Sequence, residues 1–145
     1  MIRAAEEEDL AEILKIQALC FKEPWSMEAL ESTFAHPRAI VQVVRDEEGV
    51  VGFTIALSAA DECELLSVAV QPEYKRRGLG RRLCKTLEQH AHKLGARAIY
   101  LEVRASNEVA RAFYVVMGYE FVAKRKHYYQ DGEDALIMRT TLPEL

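Results

Sequence analysis

Residues 64–83 read Glu-Leu-Leu-Ser-Val-Ala-Val-Gln-Pro-Glu-Tyr-Lys-Arg-Arg-Gly-Leu-Gly-Arg-Arg-Leu. Leu65 to Val70 is an apolar, valine-containing run followed by Pro72, the pattern of a buried strand that stops where proline withdraws a backbone donor. Gly78 and Gly80 follow, and then Leu79, Leu83, Leu87 and Ala91 recur every four residues through a helix ended by Gly95. Glycine lets backbone N–H groups turn toward a ligand with no Cβ in the way, and a helix start adds unpaired donors and roughly half a positive charge. With Arg76, Arg77 and Arg81 alongside, this strand–loop–helix is expected to receive phosphate oxygens.

Upstream, Ala39–Arg45 and Val50–Ser58 are rich in strand formers and flank the turn cluster Asp46-Glu47-Glu48-Gly49, so they predict an antiparallel hairpin next to a strand over Cys63–Val70. Ile2–Ala5 predicts a short strand. Glu6 to Asp9 read as a solvated helix start, before a helix with Ile13, Ile16 and Cys20 on one face. Ser26 is a good N-cap, with Trp25 and Leu30 placed as a hydrophobic staple, for a helix reaching about His36 before Pro37. Downstream, Ala98–Val103 is another buried strand. Ser106 and Asn107 cap a helix carrying Ala110, Phe113, Tyr114 and Met117, stopped by Gly118. Tyr119–Lys126 and Ala135–Thr141 predict a final strand pair across a turn near Asp131-Gly132. This order implies one α/β domain, residues 1–145, whose mixed sheet is antiparallel at first and locally parallel around the central helix.

Half the residues are hydrophobic and 29% are charged, which suits a soluble globular chain. No apolar run approaches 18 residues and no leader pattern opens the chain, so neither a membrane span nor secretion is expected, and the expected location is cytoplasmic. The three cysteines, Cys20, Cys63 and Cys84, form no Cys-x-x-Cys and read as reduced, packed residues. His90 and His92 lie two apart, on different faces of a helix, and no metal is expected. A net charge of −4 argues against general nucleic-acid binding, while a basic loop in an acidic chain points to a small anionic ligand.

Three phosphate sites compete. The string Gly-x-x-x-x-Gly-Lys-Ser/Thr of a P-loop is absent. For a dinucleotide fold, Gly78-Leu79-Gly80 lies between strand and helix and Glu102 follows 22 residues after Gly80, but Leu83 replaces the third small residue and the loop is long. The third is a resemblance. Pro-x-Tyr-Lys-Arg-Arg-Gly-Leu-Gly resembles the Gln/Arg-x-x-Gly-x-Gly/Ala motif of the GCN5-related N-acetyltransferases, whose backbone amides cradle the pyrophosphate of coenzyme A. Leu-Glu-Val-Arg-Ala-Ser-Asn at 101–107, Phe21-x-x-Pro-Trp-Ser, Ala112-Phe113-Tyr114 before Gly118-Tyr119, and Tyr128-Tyr129 before Gly132-Glu133-Asp134-Ala135 extend it over nearly the whole chain. Within that family the set is similar to the ribosomal-protein-alanine N-acetyltransferases. Lys75, Ser67 and Phe113 depart from the usual Gln or Arg, Asn and Leu.

The resemblance implies a mixed twisted sheet of about seven strands with about four helices. Acetyl-CoA is implied as co-substrate and the N-terminal alanine of protein eighteen of the small ribosomal subunit as acceptor. It places pantetheine along Val68, Ala69 and Val70, phosphates at Arg76, Arg77, Gly78, Leu79, Gly80 and Arg81, and a further cofactor contact at Asn107. Glu102 matches the general base and Tyr114 the general acid, while Trp25, Tyr128, Tyr129 and Asp134 are candidates for the acceptor groove. Chemistry agrees with an α-amino acceptor. An amine of pKa near 8 loses its proton at pH 7 for about 1.4 kcal/mol, whereas a lysine near 10.4 needs roughly 4.6 kcal/mol. Acetylation of lysines or small amines, and a non-catalytic acyl-CoA-binding module, remain as alternatives.

Overall fold

The computed structural model describes residues 1–143, so the last two residues of the expected domain lie outside the described residues. Seven strands form one sheet: β1 (Ile2–Ala4), β2 (Ala39–Asp46), β3 (Gly49–Ala59), β4 (Glu62–Val70), β5 (Ala98–Arg104), β6 (Glu120–Arg125) and β7 (Ala135–Thr141), ordered β1-β2-β3-β4-β5-β7-β6. The helices are α1 (Leu10–Cys20), α2 (Met27–Phe34), α3 (Leu79–Lys93) and α4 (Glu108–Val116). Neighbouring strands are antiparallel except β4 and β5, which are parallel because α3 carries the chain back along the sheet face.

Short polar side chains set the local joints. Asp46 Oδ1 accepts from the N–H groups of Glu48 (2.8 Å) and Gly49 (3.2 Å), closing the β2–β3 turn. Ser26 Oγ accepts from Ala29 N (3.1 Å) and Asn107 Oδ1 from Ala110 N (3.1 Å), so both expected caps are present. Helix α2 ends at Phe34, two residues earlier than expected, and residues 126–134 between β6 and β7 form a longer loop than the expected turn.

Alternation along the strands supplies both faces of the sheet. Val41, Val43, Phe53 and Ile55 pack under α1 and α2 with Ile13, Ile16 and Leu30. Cys63, Leu65, Ile99, Leu101 and Met138 pack against Cys84, Leu87 and Ala91 of α3. A side chain such as Leu87, wholly removed from water, contributes about 1.5–3 kcal/mol. One expectation fails here. Asp9 is not part of a solvated helix start but is buried. Its Oδ2 accepts from Arg3 Nη1 (2.8 Å) and from the Glu6 amide (2.8 Å), and its Oδ1 from Arg45 Nη1 (2.9 Å). Burial would raise its pKa, but the Arg3 hydrogen bond, the Glu6 amide and the two guanidinium charges outweigh it and hold the carboxyl below its ordinary value.

Two irregularities open the middle of the sheet. The β3–β4 register slips where Ile55 faces Ser67 and Ala56 faces Leu65, leaving Leu66 as an extra, bulged residue. The β4–β5 ladder runs from Glu62–Leu65 against Ala98–Leu101 and stops. Beyond it, Ser67–Val70 stay paired to β3 on one side, while their other edge has no strand partner among the described residues.

Candidate active site

A cavity of about 690 Å³ fills the opening between the diverging strands. Leu66, Ser67 and Val68 of β4 form one wall and Glu102 and Val103 of β5 the other. Asn107, Ala110 and Tyr114 of the α4 segment close one end, and Gln17, Cys20 and Trp25 of the α1–α2 region close the opposite side. An unpaired strand edge in such a cleft offers N–H and C=O groups to an extended amide-containing ligand, whatever its side groups.

Glu102 stands on this wall because its side chain alternates away from the buried Leu101 and Val103. The side chain is 22% exposed. Its Oε2 is shielded from solvent and has no hydrogen-bond partner, and Arg125 Nε lies 3.8 Å from it. A carboxylate oxygen so placed is costly unless a substrate or water pairs with it. Tyr114 reaches the same cavity from α4, its ring edge-on to Phe113 (5.4 Å) and Tyr119 (5.5 Å). Burial, and secondarily the neighbouring Cys84, pushes the phenol pKa well above its ordinary value, so the hydroxyl holds its proton at neutral pH. The structure therefore brings a carboxylate whose shielded oxygen has no hydrogen-bond partner among the described residues, and a protonated phenol, to one space.

The glycine loop lies past the other end of β4. A 3₁₀ turn at Pro72–Tyr74 leads to Arg76 (φ 67°) and Gly78 (φ 77°), and Gly78 is the N-cap of α3 with no side chain capping the helix. The N–H groups of the first turn are left as orphan donors, directed at whatever sits before the helix. A Cβ on Gly78 would meet nothing within 4 Å, so glycine is needed there for its φ; a Cβ on Gly80 would sit 3.5 Å from the Phe113 ring. Tyr74 Oη donates to the Asp46 carboxylate, and the Arg77 guanidinium lies 5.0 Å over the Tyr74 ring. Residues 76–81, with Ala69 and Val70, are outside the cavity lining and continue the line of β4 away from it.

Of the four acceptor-side candidates, Trp25 and Tyr129 line the cavity, whereas Tyr128 and Asp134 do not. Tyr128 is 48% exposed, edge-on to Tyr129 and beneath Arg125. Asp134 Oδ1 accepts from His127 N (2.9 Å), which makes it a brace of the β6–β7 loop. Gln17 and Arg104 are among the lining residues that the sequence reading did not assign to the site. Buried Gln17 donates from Nε2 to Ser67 Oγ (3.3 Å) and accepts from Trp25 N at Oε1 (3.3 Å), joining α1, β4 and the α1–α2 loop. Its signal was a polar residue on the apolar face of α1. Arg104 is the second; it gathers carboxylates from two loops. Cys20 also lines the cavity; burial raises its thiol pKa, and raises those of Cys63 and Cys84 to about 11 and about 12.

Beside this seven-stranded mixed sheet, opened between two parallel strands next to a glycine-started helix, stands a family match: residues 10–119 match the acetyltransferase (GNAT) family, to which this chain belongs, and the chain is an acetyl-CoA-dependent N-acetyltransferase. Among its relatives is the ribosomal protein bS18-alanine N-acetyltransferase of Escherichia coli K12, 35% identical over 140 residues that span 94% of each chain. The crystal structure of the ribosomal-protein-S18-alanine N-acetyltransferase from Escherichia coli superposes with a TM-score of 0.91 at 33% identity, over 100% of this chain and 95% of that one. Naa20 of Chaetomium thermophilum, solved with a bisubstrate analogue, gives a TM-score of 0.85 at 29% identity, over 98% and 86% of the two chains.

Proposed function

We propose that this chain moves the acetyl group of acetyl-CoA directly to the α-amino group of an N-terminal alanine, that of protein eighteen of the small ribosomal subunit. The observation that carries the reading is the meeting of Glu102 Oε2, shielded from solvent with no hydrogen-bond partner among the described residues, and proton-bearing Tyr114 in one cavity bordered by an unpaired strand edge. The free edge of Val68–Val70 pairs with the amides of the pantetheine arm. The first-turn N–H groups of α3, with Arg76, Arg77 and Arg81, bind the diphosphate, and Asn107 contacts the cofactor while it caps α4. Glu102, acting through a water, takes a proton from the acceptor ammonium. The freed amine forms the new N–C bond at the acetyl carbon. A β4 N–H stabilises the carbonyl oxygen as it gains charge. The C–S bond then breaks, Tyr114 gives its proton to the departing sulfur, the second proton leaving the nitrogen as the amide forms restores the phenol, and the first passes from Glu102 to solvent.

Direct transfer is supported over an acyl-cysteine route. Cys20, the cavity cysteine, is held above its ordinary pKa by burial, which disfavours the thiolate that nucleophilic attack requires. This work belongs in the cytoplasm, where ribosomal proteins are made; no helix among the described residues is long and apolar enough to cross a membrane. The test is an acceptor panel with labelled acetyl-CoA: a peptide with a free N-terminal alanine against one with a blocked N-terminus and an internal lysine. Preference for the alanine peptide is expected; preference for the blocked peptide overturns the reading.

A further inference from the structure

We propose that Arg104 is the positioning residue that binds the two acceptor-side loops together across the mouth of the cavity. The proposal rests on the reading of that cavity as the amine site. Arg104 ends β5, two residues beyond Glu102, and its side chain is 20% exposed. Its Nη2 donates to Glu23 of the α1–α2 loop. Its Nη1 donates to Asp131 Oδ2 (2.8 Å) and Glu133 Oε1 (2.9 Å) of the β6–β7 loop. The guanidinium plane lies 4.0 Å over the ring of Tyr129, itself a lining residue. Glu133 Oε2 also accepts from Ser106 N (2.7 Å), which ties the cluster to the entry of α4 and hence to the helix of Tyr114.

Three carboxylates around one guanidinium exceed what a single ion pair needs, and they come from chain positions 23, 131 and 133. Arginine suits this hub because its planar fork offers several donors in fixed directions and its face stacks on an aromatic ring; lysine offers a single rotating charge. The loop from Phe21 to Ser26 carries Trp25, and a second ion pair, Lys22 Nζ to Asp131 (3.6 Å), runs between the same two loops. Apart from these ion pairs the α1–α2 loop is braced by the long bond from Trp25 N to Gln17 Oε1 (3.3 Å), whereas the β6–β7 loop has several shorter ones, with Gly132 N bonded to Tyr129 O (2.8 Å), Ala105 N to Asp134 O (3.0 Å) and His127 N to Asp134 Oδ1 (2.9 Å). Loss of Arg104 therefore releases the α1–α2 loop more than the β6–β7 loop, and it widens the acceptor side while leaving the glycine loop at the start of α3 untouched.

The test combines deuterium uptake with steady-state kinetics on the full chain. For Arg104→Gln, uptake over residues 21–26 is expected to rise at least fivefold in rate. KM for the acceptor peptide should rise tenfold or more, with KM for acetyl-CoA within twofold of wild type and Arg104→Lys in between. Glu23→Gln, at an exposed side chain, should loosen residues 21–26 alone, and Asp131→Asn residues 127–134 more than 21–26; these two variants decide the matter if Arg104→Gln does not fold. Unchanged uptake in the loops, or equal changes in KM for both substrates, overturns the proposal. A wrong acceptor class shows itself separately, as wild-type preference for the lysine peptide, and the uptake readout still judges Arg104.

Discussion

Replacing Tyr114 by Phe removes one oxygen and leaves the ring in its edge-on contacts with Phe113 and Tyr119, so the fold and the cavity shape should persist. The loss is then chemical. Burial holds the phenol proton on, so the hydroxyl acts as a donor across the neutral range. Without it the sulfur leaves as a free thiolate. For a thiol of pKa near 8.5 at pH 7, that forgoes about 1.5 units of protonation, about 2 kcal/mol or roughly thirtyfold. Placement of the donor at the leaving atom adds to this, and positioned acids commonly contribute on the order of 10²–10⁴-fold. A thiolate is a weakly basic leaving group, which sets the expectation at the low end. The fall in kcat should be about a hundredfold, about 2.7 kcal/mol of transition-state stabilisation. KM for acetyl-CoA should stay within about threefold. The assay follows release of free coenzyme A with a thiol-reactive chromogen at saturating acceptor peptide, from pH 6 to 9. A kcat within threefold of wild type refutes the assignment. So does a wild-type alkaline decline near pH 8 that disappears in the variant, because it would mean a phenol that ionises early.

Glu102→Gln should lower turnover about a hundredfold while calorimetry shows acetyl-CoA affinity within threefold of wild type. Gly78→Ala meets no steric obstacle but holds alanine at φ 77°, so it should cost about 1 kcal/mol, seen as a melting point a few degrees lower, and raise KM for acetyl-CoA severalfold. Asp9→Asn should cost about 2 kcal/mol in urea unfolding at pH 7, less than a fully buried pair because Arg3 and Arg45 are partly exposed. Its folded pKa is depressed, so its stabilisation is present above the unfolded-state value of 3.8 and fades as pH falls through the lower folded value. The gap between wild type and Asp9→Asn should therefore close on acidification below about pH 4, and a gap that stays constant would contradict the depressed pKa.

Much of the fold was legible because its signals are local. Period-two runs marked the strands, leucines at every fourth position marked α3, and Ser26, Asn107 and Gly95 punctuated helices within a turn of their own positions. Glu102 and Tyr114, singled out by motif, both line the cavity. Asp9 was misread because an acidic run at a helix start is usually solvated, and its partner Arg45 lies 36 residues away on β2. Asp134 was a candidate for the groove through the family resemblance, yet its side chain turns back to the His127 amide.

The order of residues by itself determined which segments become strands or helices, and that a basic, glycine-opened helix start follows a buried strand. Those are properties of stretches shorter than about fifteen residues, and side-chain period and backbone sterics act at that range. Tertiary structure alone decided that β4 carries a bulge at Leu66 and parts from β5 after Leu65, that Gln17 meets Ser67, and that Glu23, Asp131 and Glu133 converge on Arg104. Such contacts join positions up to 81 apart in the chain (Glu23 to Arg104), and they arise from the register in which the sheet closes, which no local run of residues encodes.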